Sequence, residues 1–167
     1  AARIQAHTGK PLTDAWMAAF YARRNALLEA ELQPIEGAIE AVRAVHARLG
    51  GRIACASGAD RYKVEMQLQK VGLAPYFGAN VFSGHEMPRT KPAPDVYLAA
   101  AAALGVPPQR CLVVEDTVTG VAAGVAAGAT VVGFSPSPVG HGAPEALLAA
   151  GAVRVIAHMS ELPALLG

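Results

Sequence analysis

The chain has 167 residues, 53% hydrophobic and 16% charged, with a formal net charge of +1; this is the balance of a globular protein and excludes an intrinsically disordered one. Without a basic run, and with few aromatics to stack on bases, nucleic acid is not an expected partner. The longest apolar stretch, residues 120–134, is too short for a bilayer span, and no basic-plus-apolar leader opens the sequence, so a cytoplasmic protein is expected.

Leu12, Trp16, Phe20 and Leu27 recur at helical spacing over residues 12–31, with Thr13 or Asp14 as the cap and Trp16 and Phe20 as packing residues. Pro34 and Gly37 punctuate. Ile39, Val42, Val45 and Leu49 then form a second stripe ending at Gly50-Gly51. Residues 52–56 read as a short apolar strand closing at Ser57-Gly58, and Asp60 can cap a helix striped by Val64, Leu68 and Val71. Residues 80–83 form a brief strand. Pro94 suits a first helical position, and that helix runs to Leu104. Strands over 111–114, 130–134 and 153–156 alternate with helices over 118–127 and 144–150, and a last turn starts at Ser160. Cys55 and Cys111 fall inside apolar runs and read as buried reduced thiols.

Short strands that are apolar throughout, separated by helices, predict an α/β protein with a doubly wound parallel sheet covered on both faces. Ligands of such sheets bind at the carboxyl ends of the strands. Ser57 follows one strand, Glu115 and Asp116 end another, and Lys91 lies in the loop after a third. A cation that neutralises phosphate, beside carboxylates that hold a divalent metal, suits phosphoryl transfer. Each residue also has a plainer explanation: Ser57 as a helix cap, Lys91 as a solvated surface lysine, Glu115 and Asp116 as a capping pair.

The strings Ala56-Ser57-Gly58, Lys91-Pro92-Ala93-Pro94-Asp95 and Glu115-Asp116-Thr117-Val118-Thr119-Gly120 resemble, in order and spacing, the second, third and fourth motifs of the haloacid dehalogenase superfamily, in its branch of β-phosphoglucomutases and sugar-phosphate phosphatases. The likeness is close over residues 35–135. It implies a Rossmann-like core at 34–167 and part of a helical cap at 1–33. It also implies that Ser57, with the backbone N–H groups of Gly58 and Ala59, binds phosphate, that Lys91 neutralises charge on the phosphoryl group, and that Glu115 and Asp116 hold Mg²⁺. Gly120 and Gly124 would let a helix lie close to the sheet. His85 and Glu86, near the lysine loop, and His7, Arg23 and Arg24, in the cap, are secondary candidates.

The superfamily's first motif, Asp-x-Asp after an apolar strand, has no counterpart here. The resemblance places that strand between the ones ending near Ser57 and Glu115, so the core is expected to lack its first strand and the 167 residues alone to be inactive. The complete protein is expected to be a Mg²⁺-dependent phosphatase acting through an aspartyl-phosphate on a small phosphorylated metabolite, such as a sugar phosphate, as a monomer or homodimer. A phosphomutase and a non-catalytic binding protein are the alternatives.

Overall fold

A computed structural model describes Gly9, residues 12–136 and residues 142–166; His7 lies outside them. The chain divides into two compact units, residues 1–33 and 34–167.

The described part of the first unit is one helix, α1 (Asp14–Glu31). Thr13 caps it, its hydroxyl accepting from the Trp16 N–H at 3.2 Å. Trp16 and Phe20, expected from their spacing to pack inward, instead stack on each other at 5.4 Å and remain 43% and 45% exposed. Among the described residues of its unit no second element lies against this stripe, so the two rings pack on each other. Arg24 sits 4.8 Å over the Tyr21 ring, and its guanidinium also donates to the Asn25 side chain.

In the second unit, α2 (Ala38–Arg48) follows Gly37, whose φ of +73° suits a residue without a Cβ. Next come β1 (Cys55–Ser57), α3 (Arg61–Lys70), the short α4 (Ala74–Phe77) and β2 (Val81–Ser83). After a 3₁₀ turn at Gly84–Glu86 the order is α5 (Asp95–Ala103), β3 (Leu112–Glu115), α6 (Val118–Ala126), β4 (Thr130–Phe134), α7 (Pro144–Ala149) and β5 (Arg154–Ile156), with a closing 3₁₀ segment at Met159–Leu166. Nearly every element lies where the spacing of apolar residues and caps puts it. Two details differ. The first strand starts three residues later than the apolar run, because residues 50–53 are taken up by turn bonds such as Ile53 N–H to Gly51 O. The α4 turn, with Pro75 in its first turn, was not legible from periodicity.

All strand pairing is parallel, and among the described residues it falls into two ladders, β1–β2 and β3–β4–β5. Val132, Phe134 and Ile156 pack on one face with Leu162 and Leu165 of the 3₁₀ segment. Val121, Val131 and Leu147 join β4 to α6 and α7 on the other face. This alternation along β4 is the period of two expected of a strand covered on both sides. Gly124 lets α6 lie down on it, since a Cβ there would come within 2.7 Å of Val131.

β1 and β3 are not paired with each other. A groove of about 460 Å³ separates them, lined by Ile53, Ala54 and Ala56 on one side and Leu112, Val113 and Val114 on the other. The flanking strand residues are accordingly half-buried, although their composition is that of inner strands. Val96 and Tyr97 of α5 form one cluster with Ala123 and Ala127 at the end of α6, and Ala56 and Phe82 of one ladder and Val113 of the other pack against it.

Candidate active site

The site begins where β1 ends. Ser57 leads into a turn in which its hydroxyl accepts from the Ala59 N–H at 3.1 Å. The cap of α3 is Asp60, whose carboxylate accepts from the Lys63 N–H at 3.0 Å, so the helix-cap explanation of Ser57 does not hold. Gly58 is exposed. Beside this turn lies the end of β2: Ser83, paired in register with Ser57, donates its hydroxyl to Ala59 O at 2.7 Å.

The lysine loop leaves the 3₁₀ turn and reaches α5 through a cis Lys91–Pro92 peptide. Arg89 and Asp95 tie its two ends together with an ion pair of 2.8 Å. Lys91 is not a solvated surface side chain. Its ammonium donates to Ala56 O of β1 at 3.2 Å, to the Tyr97 hydroxyl at 2.8 Å and to Glu115 Oε1 at the end of β3. One cation thus links both ladders at their carboxyl ends.

Glu115 is 9% exposed and fully engaged. Its Oε1 accepts from Lys91 and from the Tyr97 hydroxyl, and its Oε2 from the Thr117 hydroxyl at 3.1 Å and the Thr117 N–H at 3.4 Å. Burial works against its ionisation, but the Lys91 charge and these hydrogen bonds outweigh burial and hold the carboxyl below its usual range. Burial and the neighbouring Glu115 charge push the Tyr97 phenol well up, with Asp116 adding to the effect, so the phenol is a neutral donor. Asp116 follows on the same rim, half-buried, and its carbonyl accepts from the Gly142 N–H at 2.9 Å. Gly120 has a role that the sequence did not suggest: a Cβ there would land on the Glu115 carboxylate. Close packing on the sheet accounts for Gly124 but not for Gly120.

Of the residues singled out from sequence, Ser57, Lys91 and Glu115 converge through Ala56 and the Lys91 ammonium, with Asp116 adjacent. The secondary candidates behave differently. Glu86 is bound by both carboxylate oxygens to Arg61 at 2.6 Å each, and His85 is exposed with its N–H on Ser83. Tyr97, Thr117 and Ser83 belong to the network, although none of them was given a role from sequence. Tyr97 lies in the first turn of the helix that opens after Pro94 and the proline-held lysine, the one pattern that could have pointed to it. Cys55 and Cys111 are both free, and burial raises each thiol.

Two parallel ladders covered by helices, with a lysine, a hydroxyl and two acids on one rim, define a Rossmann-like α/β fold with its candidate residues at the strand ends. Residues 1–128 match the family model of haloacid dehalogenase-like hydrolases, and the chain belongs to that family. A haloacid dehalogenase-like protein of Agrobacterium tumefaciens superimposes with a TM-score of 0.81 at 32% identity, covering 99% of this chain and 74% of that one. A family hydrolase of Deinococcus radiodurans, solved with bound phosphate and sodium, gives 0.79 at 35% identity over 99% of this chain and 72% of its own. The 6-phosphogluconate phosphatase of Escherichia coli is 32% identical over 139 residues, 83% of this chain. The chain spans 59% of that relative's length.

Proposed function

We propose that this chain carries the phosphate-binding and charge-neutralising part of a phosphatase site for a small phosphorylated metabolite, a sugar phosphate being the favoured class. The observation that carries the reading is the Lys91 ammonium, held by Ala56 O, Tyr97 and Glu115 at the meeting of the two ladders. An ammonium fixed in a half-buried setting stabilises charge developing on a phosphoryl group without reorganising during the reaction. The Ser57 hydroxyl and the Gly58 N–H orient the transferred group beside it, and the Ala59 N–H joins them when it turns from Ser57 Oγ to a phosphate oxygen. Support for the substrate class comes from the 6-phosphogluconate phosphatase relative and from the phosphate in the Deinococcus radiodurans structure.

The acids fit Mg²⁺ in one arrangement. Glu115 accepts from Lys91, Tyr97 and Thr117, so Asp116 is taken as the direct ligand, with Glu115 as the second carboxylate that also fixes Lys91. Among the described residues no group of three or more potential ligands exists, as suits an ion that keeps its waters and uses one or two carboxylates plus substrate oxygen. When bound, the ion would supply neutralisation of phosphate charge.

None of the described aspartates of the second unit offers a nucleophile: Asp60 caps α3, Asp95 pairs with Arg89 and Asp116 is the metal ligand. We assign the nucleophile to an Asp-x-Asp strand filling the groove between β1 and β3. Its first carboxylate would bond to phosphorus as the bond to the substrate oxygen breaks; its second, a protonated carboxylic acid, would give its proton to the leaving alkoxide and then take one from the water that attacks phosphorus, releasing phosphate and restoring both side chains. Without that strand the 167 residues are inactive. No helix among the described residues is long and apolar enough to cross a membrane; a cytoplasmic monomer or homodimer completes the reading.

The test is a panel of sugar phosphates offered to the full natural protein with Mg²⁺. Phosphate release that chelation abolishes is the expected result. Migration of phosphate within one sugar would make the protein a mutase, and no turnover of any phosphate ester would overturn the reading.

A further inference from the structure

Ser83 has no direct part in the proposed chemistry, yet it is 1% exposed and makes two side-chain hydrogen bonds. Its hydroxyl donates to Ala59 O at 2.7 Å and accepts from the His85 N–H at 3.2 Å, so one oxygen joins the Ser57 turn to the 3₁₀ turn that leads into the lysine loop. Two more ties run alongside. Gly84 lies so close to the Ser57 turn that a Cβ would stand 3.2 Å from Ser57 O and 3.4 Å from the Gly58 Cα. Arg61, the first residue of α3, binds both carboxylate oxygens of Glu86 and also donates to Val81 O at 3.1 Å.

We propose that Ser83 is a positioning residue for anion binding: it locks the turn carrying the Gly58 and Ala59 N–H groups to the segment carrying Lys91. This rests on the phosphatase reading above. The physical need is specific. Backbone donors bind an oxyanion well only if their peptide planes are already oriented, since ordering them on binding costs affinity. Ser83 anchors the carbonyl of Ala59; the peptide plane it fixes carries the Asp60 N–H and joins, at the Ala59 Cα, the plane of the Ala59 N–H, so the bond restricts how far the turn can swing. The Ala59 N–H now faces Ser57 Oγ, so the turn is held compact from both sides. The Arg61–Glu86 pair is about 40% exposed on both partners and cannot replace a buried bond.

The experiment compares Ser83→Ala with the unaltered protein, both as the full natural chain, by amide hydrogen exchange and by binding of inorganic phosphate. Removing one buried oxygen introduces no clash, and an unchanged thermal transition checks that the variant folds. Expected are exchange at Ala59, whose N–H is bonded to Ser57 Oγ, at least tenfold faster, with the rest of β1 and β2 unchanged, and phosphate affinity about tenfold weaker. With a turned-over ester, KM rises by a similar factor while kcat stays within about threefold. Exchange at Ala59 equal to the unaltered protein overturns the lock. So does acceleration spread evenly over β1 and β2 with a lowered melting temperature, the mark of a purely structural serine. Faster local exchange with unchanged phosphate affinity overturns the link to binding. If the unaltered protein binds no phosphate, the phosphatase reading fails, and exchange alone still decides whether Ser83 holds the turn.

Discussion

The Lys91 ammonium and the Glu115 carboxylate form an ion pair, 12% and 9% exposed, between a loop that follows one ladder and the end of a strand in the other. Neither ladder's hydrogen bonds reach the other. This pair, with Tyr97 packed around it, is the polar joint between them, and it stands at the edge where an α/β fold binds its ligands.

Replacing Lys91 with Ala should have two separable effects. Turnover of the full natural protein should fall at least about a hundredfold, the usual size of a lost electrostatic contact. Denaturant unfolding should show a loss of roughly 3 kcal/mol, because Glu115 is left buried beside only Tyr97 and Thr117. Asp116→Ala should match the catalytic loss with a smaller loss of stability. Near-normal turnover in either variant would remove that residue from the proposed mechanism.

Gly120→Ala tests the packing of Glu115. In an ordinary helix the exchange gains about 1 kcal/mol. Here the new methyl would take the place of the Glu115 carboxylate, which must leave Lys91 to make room. A net destabilisation of roughly 1–3 kcal/mol or more is expected, as for overpacked cores, together with lost activity. A variant as stable as the parent by thermal unfolding would show that Glu115 has another place to go.

Tyr97→Phe keeps the ring, its packing with Val96 and Ala123, and its face toward the Lys91 ammonium 4.6 Å away. It removes the phenol, which accepts from Lys91 and donates to Glu115. Stability should drop by about 1–2 kcal/mol, the usual effect of deleting a buried hydrogen-bonding group. Unchanged chemical denaturation would mean that Lys91 and Glu115 satisfy each other without the phenol.

Glu115 also sets an acid limit on stability. Its folded pKa lies below that of the unfolded chain, about 4.3 for an ordinary glutamate. The stabilisation is therefore fully present above that value and is lost as pH falls through the lower folded value. Melting temperatures from pH 6 to pH 3 should fall more steeply for the parent than for Glu115→Gln, which has no charge to lose there. Parallel curves would show that the carboxylate titrates normally.

Elements and site were legible to different depths. The stripe Val64-Leu68-Val71, the Asp60 cap and the uninterrupted apolar run of β4 are local patterns, set by helix and strand periods, and the folded chain keeps them. The three motif strings carried Ser57, Lys91 and the acidic pair because short, ordered strings survive in a linear reading. Trp16 and Phe20 were misjudged for the complementary reason: periodicity says which side of a helix is apolar, not whether anything lies against it.

What the linear order determined by itself was an alternating α/β chain of parallel strands with its candidate site residues at their carboxyl ends. Only tertiary structure decided that Glu115 accepts from Lys91, Tyr97 and Thr117, that Gly120 exists to admit that carboxylate, and that Ser83 reaches Ala59 from the neighbouring strand. These are contacts between residues that a sequence keeps apart. Hydrogen bonds and packing act over a few ångströms of space, so no spacing along the chain announces them.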